Sequence, residues 1–125
     1  MSQPFEASRT ISLATFKRDG SQVNTPVWVA GLGGKLYINT ETGSAKVRRI
    51  RNNPRVRVAP CSPTGKIQGD WKDGTAKAIA DAALTRQAQD AIRAKYGWQV
   101  TLFRFAGLFS RRFRERVVLE VVLAN

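Results

Sequence analysis

Histidine is absent from this chain of 125 residues, and cysteine and methionine occur once each. Without an imidazole there is no Ser-His-Asp or Cys-His arrangement, because the nucleophile has nothing to take its proton. The lone Cys61 has no partner for an internal disulfide, and too few soft ligands remain for a typical zinc site, so no metal is expected. Followed by Ser62 and Pro63, Cys61 reads as a strand-end thiol. Long apolar runs are missing as well. No segment reaches the roughly 18 apolar residues of a membrane span, and MSQPFEASRT lacks the apolar run of a signal peptide. A cytoplasmic protein is expected.

Acids are scarce: nine Asp and Glu stand against 21 Lys and Arg, a formal net charge of +12. Such an excess points to an anionic partner, and nucleic acid, an acidic membrane surface or a phosphorylated cofactor or substrate all satisfy it. With 42% hydrophobic residues the chain has enough apolar side chains for a core, and its length suits one domain over residues 1–125.

The pattern along the chain is mostly β. TISLATF, the turn KRDGSQ and VNTPVWVAG predict a hairpin, and GLGGK then turns the chain into the alternating LYINT, giving a three-strand meander. Ser44 stands where a helix N-cap belongs, with Val47 and Ile50 spaced to pack down, and Asn52, Asn53 and Pro54 end that helix. RVRVAP is a fourth strand. A fifth, bent and broken at Asp73 and Gly74, ends with TAKAIA. LTRQAQDAIRAKYG predicts a helix capped by Thr85 and stopped by Gly97. WQVTLFRFAGLFSRRF fits a helical face through Trp98, Leu102, Phe105 and Phe109, although Val100 and Thr101 also suit a strand. RVVLEVVLA reads as a strand in the middle of a sheet that closes a barrel. Six strands with two inserted helical regions predict a small, mainly antiparallel β-barrel with helices at its rim.

Between Thr40 and Pro60 lie Lys46, Arg48, Arg49, Arg51, Arg55 and Arg57. A helix beginning at Ser44 aims free backbone N–H groups and the positive end of its dipole outward, so a phosphate can dock on Ser44 and Ala45. Lys46 adds a point charge, and Arg49, three residues on, a planar fork on the same face. The competing reading is a solvated basic face. Arg51, Arg55 and Arg57 have no such placement and read as surface or partner-facing residues.

LYINTETGSAKVRRIRNNPRVRVAP resembles the central signature of the flavin-binding split β-barrel superfamily, the pyridoxamine 5′-phosphate oxidase-like proteins, in which strand, loop, Ser-x-Lys, helix and Asn-Pro-Arg-Val follow in this order. TISLATFKRDGSQVNTPVWVAG resembles that superfamily's first hairpin, and its TPVW run is similar to the coenzyme F420-dependent branch. With GDWKDGTAKAI, KYGWQ and VVLEVVLA the resemblance covers nearly the whole chain. It implies a homodimer with two flavin or deazaflavin molecules in grooves along the subunit interface. Lys46 and Arg49 match the phosphate-binding pair, with Ser44 and Ala45 at the helix start. Asn39 and Thr40 match the strand end lining the same groove, and Thr25, Pro26, Val27 and Trp28 the backbone run against the tricyclic ring. Enzymes of this type that bind FMN tightly carry an arginine near the position of Thr25, a departure that favours coenzyme F420 over FMN or FAD. The acidic polyglutamate tail of that coenzyme suits the extra cations Arg48, Arg51 or Arg104.

The resemblance thus implies an oxidoreductase passing a hydride between the deazaflavin and a small organic molecule, with no catalytic base required and no catalytic residue assigned. Trp71, Trp98 and Tyr37 either line a substrate pocket or belong to the core. Relatives of this barrel also bind FMN, FAD or haem without such chemistry. A nucleic-acid partner, suggested by Phe103, Phe105, Phe109 and Phe113 interleaved with Arg104, Arg111, Arg112 and Arg114, has no recognisable motif behind it. The aromatic and basic mixture of residues 98–113 offers contact with a membrane surface, against which stands a helix packed on the barrel or across the dimer.

Overall fold

The computed structural model describes residues 10–97 and 116–124. They form seven strands and two helices: β1 Ile11–Phe16, β2 Gln22–Val27, β3 Ala30–Leu32, β4 Lys35–Glu41, α1 Ala45–Asn52, β5 Arg55–Pro60, β6 Lys72–Ala78, α2 Ala82–Tyr96 and β7 Arg116–Leu123. All strands belong to one antiparallel sheet in the order β2-β1-β5-β6-β7-β4-β3. The segment 98–113, with its helical reading, lies outside the described residues.

Two turns follow from their glycines. Gly33 and Gly34 have φ of 62° and 79°, the left-handed pair that a two-residue hairpin requires, and they join Leu32 to its partner Lys35. At the β1–β2 turn the Asp19 carboxylate accepts from the Ser21 N–H at 2.9 Å and its hydroxyl at 2.7 Å.

The sheet has seven strands rather than the expected six, because the VNTPVWVAG run breaks at Trp28 and Val29 into β2 and β3. That break changes the topology. β2 and β3 are the two edges of the sheet, yet only two residues separate Val27 from Ala30. Three Cα steps span at most about 11 Å, whereas six strand spacings in a flat sheet would take about 29 Å. The sheet therefore curls until its edges approach, a barrel split between β2 and β3. The expected meander is corrected accordingly: β1 lies between β2 and β5, and β4 between β3 and β7. β7 sits inside the sheet, as its apolar run predicts, and joins β6 to β4.

Inside the curl, Ile11, Leu13, Leu36, Ile38, Val56, Val58, Leu119 and Val121 form the core, and α1 caps it with Val47 and Ile50. Alternation puts the intervening residues on the outer surface. There α2 covers Tyr37 and Val118 with Ala88, while its C-terminal end packs Ile92 and Tyr96 against Ala30 and Trp28.

Two further expectations change. β6 runs from Lys72 straight through Asp73 and Gly74, which pair with Arg57 and Val56 of β5. The N-cap of α2 is Asp81, not Thr85; its carboxylate accepts from the N–H groups of Ala83 and Leu84, so the helix starts earlier. Gly97 ends it, with φ 56°.

Candidate functional site

The chain leaves β4 through a turn in which the Ser44 N–H donates to the Glu41 carbonyl at 3.1 Å, and α1 begins at Ala45. Ser44 has the extended backbone of an N-cap, with φ −69° and ψ 155°, yet its side chain makes no capping bond. Its hydroxyl oxygen is buried and has no hydrogen-bond partner among the described residues. The first-turn N–H groups of a helix lack intrahelical acceptors, and no acid occupies the first turn of α1. A buried hydroxyl and unpaired N–H groups at the positive end of a helix dipole form an acceptor-poor environment that suits an anion.

Lys46 and Arg49 flank this point. Burial pushes the Lys46 ammonium below its ordinary value; Glu41 opposes that shift, and Arg49 and Arg116 add to it. Arg49 is half-buried, and its Nε donates to the Thr15 hydroxyl at 2.6 Å. The bond fixes the guanidinium at the cost of only one of its donors. Thr15 shares the inward side of β1 with Ile11 and Leu13 and is fully buried. Thr15 is not among the residues singled out from the sequence, because its partner Arg49 lies 34 positions away.

Thr25, Pro26 and Val27 lie on β2, paired with Leu13, Ser12 and Ile11 of β1. β2 is an edge strand, which suits Pro26 and leaves its outer backbone row without a strand partner among the described residues. Thr25 and Val27 are half-buried and Pro26 exposed. Trp28 stacks on Tyr96 with ring centroids 4.5 Å apart and planes 10° from parallel.

Asn39 and Thr40, adjacent in sequence, take opposite sides of β4. Thr40 is buried on the side of Ile38, whereas the Asn39 side-chain oxygen accepts from Gln89 of α2 at 3.5 Å. The structure thus gathers Ser44, Ala45, Lys46 and Arg49 at the start of α1, and directs the Asn39 side chain elsewhere.

The remaining cations divide. Arg55 lies over the Phe16 ring at 5.0 Å; Arg57 lies over Trp71 at 5.6 Å and 3.0 Å from the Asp73 carboxylate. Trp71 thus partners Arg57, and Tyr37 is a core residue whose hydroxyl donates to Glu120 at 2.9 Å. Arg48 and Arg49 instead line an open groove of about 620 Å³ together with Ala45 of α1 and with Phe16, Lys17 and Arg18 at the end of β1 and in the β1–β2 turn.

This curled antiparallel sheet, split between two edge strands and capped by a helix with a basic start, defines the class of split β-barrel proteins. The family model of pyridoxamine 5′-phosphate oxidase matches residues 1–125, and the chain belongs to that family. Solved structures show the same fold. A conserved hypothetical protein, Rv2991, from Mycobacterium tuberculosis is 21% identical with a TM-score of 0.72, over 100% of this chain and 82% of that one. The haem storage protein HutZ from Vibrio cholerae is 15% identical with a TM-score of 0.71, over 97% and 86% of the two chains. An F420 reductase is 17% identical with a TM-score of 0.59, over 100% and 97%. The search of curated proteins finds no match. No helix among the described residues is long and apolar enough to cross a membrane.

Proposed function

We propose that this protein is a coenzyme F420-dependent oxidoreductase that transfers a hydride between the deazaflavin and a small organic molecule, working as a homodimer. The observation that carries this reading is the start of α1, where the unpartnered Ser44 hydroxyl, the half-buried Lys46 and the Thr15-held Arg49 meet. Such a set suits a phosphate, and the edge strand β2 offers a row of backbone groups to a flat ring. Bound there, the deazaflavin supplies the hydride chemistry, and the residues of the chain orient it and keep water out. Thr25, standing where tight FMN binders have arginine, favours the deazaflavin over FMN or FAD. An F420 reductase among the similar folds is in keeping with it. HutZ raises haem as a second possibility, but the chain has no histidine to serve as an axial ligand.

The test is titration of the purified protein with oxidised and reduced coenzyme F420, FMN and haemin, followed by tryptophan fluorescence, for the wild type and the Lys46→Ala, Arg49→Ala double variant. Micromolar deazaflavin binding that weakens about tenfold or more in the variant is expected. Tighter binding of FMN or haemin, or deazaflavin binding indifferent to both residues, overturns the reading.

A further inference from the structure

Thr15 is a polar residue in an apolar set. It follows Ile11 and Leu13 on the inward side of β1, is fully buried, and is held opposite Val23 in the β1–β2 ladder. A buried hydroxyl costs stability unless it is hydrogen-bonded, and a valine would fill the same space in a strand without that cost. The partner of this hydroxyl is a cation from another element. Arg49, in the last turn of α1, donates to it through Nε at 2.6 Å. Arg48, the neighbouring cation, is exposed and has no such anchor among the described residues.

We infer that Thr15 is a positioning residue for the cofactor's phosphate, acting through Arg49; the inference rests on the cofactor reading above. A guanidinium can meet an anion side-on, through Nε and one terminal nitrogen, or end-on, through its two terminal nitrogens. Thr15 occupies Nε and so closes the side-on approach. The end-on fork stays available, since the terminal nitrogens have no partner among the described residues. A loose arginine loses its rotamer freedom when it meets a phosphate. In Arg49 much of that loss is already taken on folding, against an acceptor whose β-branched side chain is stiff and whose backbone lies in a strand ladder. Preorganisation of this kind raises affinity by lowering the cost of ordering on binding.

Fluorescence titration with coenzyme F420, and with the same deazaflavin lacking its phosphate, tests this. The proteins are the wild type, Thr15→Val, Thr15→Ser, Arg49→Ala and the Thr15→Val, Arg49→Ala double variant, each first shown to fold by its melting curve. Thr15→Val should weaken F420 binding about five- to tenfold and leave binding of the phosphate-free deazaflavin unchanged. Thr15→Ser keeps the hydroxyl and should bind F420 within about twofold of the wild type. In the double variant, Thr15→Val should add nothing to the effect of Arg49→Ala, because the two residues act as one unit. A role in folding alone would lower the melting temperature without this dependence on phosphate. The inference is overturned, and the cofactor reading left standing, by any of three results: Thr15→Val binding F420 as the wild type does, weakening of both ligands alike, or additive effects of Thr15→Val and Arg49→Ala. A wild type that binds no F420 fails the cofactor reading and takes the inference with it. Thr15→Ala takes the place of Thr15→Val, with the same outcomes, if that variant does not fold.

Discussion

The Tyr96 hydroxyl serves both backbone polar groups of Val29, accepting from its N–H at 2.9 Å and donating to its carbonyl at 3.1 Å. Val29 is fully buried in the two-residue break between the edge strands β2 and β3, outside any strand ladder. Lys95 adds a bond to the same carbonyl at 2.7 Å. The C-terminal end of α2 thus closes the seam of the curled sheet.

Tyr96→Phe keeps the ring that stacks on Trp28 and removes only this hydroxyl. It strands the Val29 N–H while Lys95 still serves the carbonyl, so a loss of about 1–3 kcal/mol is expected. Urea denaturation reads it directly. A loss below about 0.5 kcal/mol would show that the hydroxyl does not hold the seam.

Gly74 sits where strands crowd. A Cβ at this position would lie 2.7 Å from the Val122 carbonyl oxygen and 3.3 Å from the Leu123 Cα. Backbone, unlike a flexible side-chain tip, does not step aside without disturbing the β6–β7 ladder. Gly74→Ala should cost about 1–3 kcal/mol, whereas Gly43→Ala, with nothing within 4 Å, should be close to neutral. Equal thermal midpoints for the two variants would contradict the close approach.

Tyr37 carries a pH signature. Burial, then the hydrogen bond to Glu120 and the charge of that carboxylate, together raise its phenol from 10.0 to about 12. The folded protein therefore holds this proton more tightly than the unfolded chain. The associated stability is fully present below pH 10 and is lost as pH rises toward 12, on the order of 2–3 kcal/mol. Tyr37→Phe lacks this component, so its stability deficit relative to wild type should shrink between pH 9 and pH 12. Denaturation curves of both proteins across that range decide; a deficit constant with pH refutes the assignment.

Local signals were legible in the sequence and distant ones were not. Gly33 and Gly34 announced their turn, and Ser44, Val47, Ile50 and Pro54 outlined α1, because each acts within a few residues. Lys46 and Arg49 could likewise be paired from helical spacing. The break at Trp28 and Val29 hid inside an apolar run because its cause, Tyr96, lies 67 positions away. Thr15 is 34 positions from the Arg49 that it anchors. Asn39 and Thr40 look like one feature as neighbours, but strand geometry sends them to opposite faces. Asp81 outcompeted Thr85 as the cap of α2 because its carboxylate reaches two first-turn N–H groups.

Lys46 gives the sharpest separation of binding from folding. Burial holds its ammonium below the usual 10.5, Glu41 relieves part of that, and Arg49 and Arg116 deepen it. The unfolded chain binds this proton more tightly, so the penalty is fully present below the lowered pKa and disappears as pH climbs through it toward 10.5. Lys46→Met keeps the length of the side chain and removes the charge. At neutral pH the unliganded variant should melt above the wild type, with an advantage that narrows as pH approaches 10.5. The same substitution should weaken deazaflavin binding about tenfold or more, since a charged donor to phosphate is lost. A residue kept at a cost to the fold and needed for an anion behaves in this opposed way. If Lys46→Met instead lowers the melting temperature at neutral pH, attraction to Glu41 outweighs burial and Lys46 is part of the scaffold.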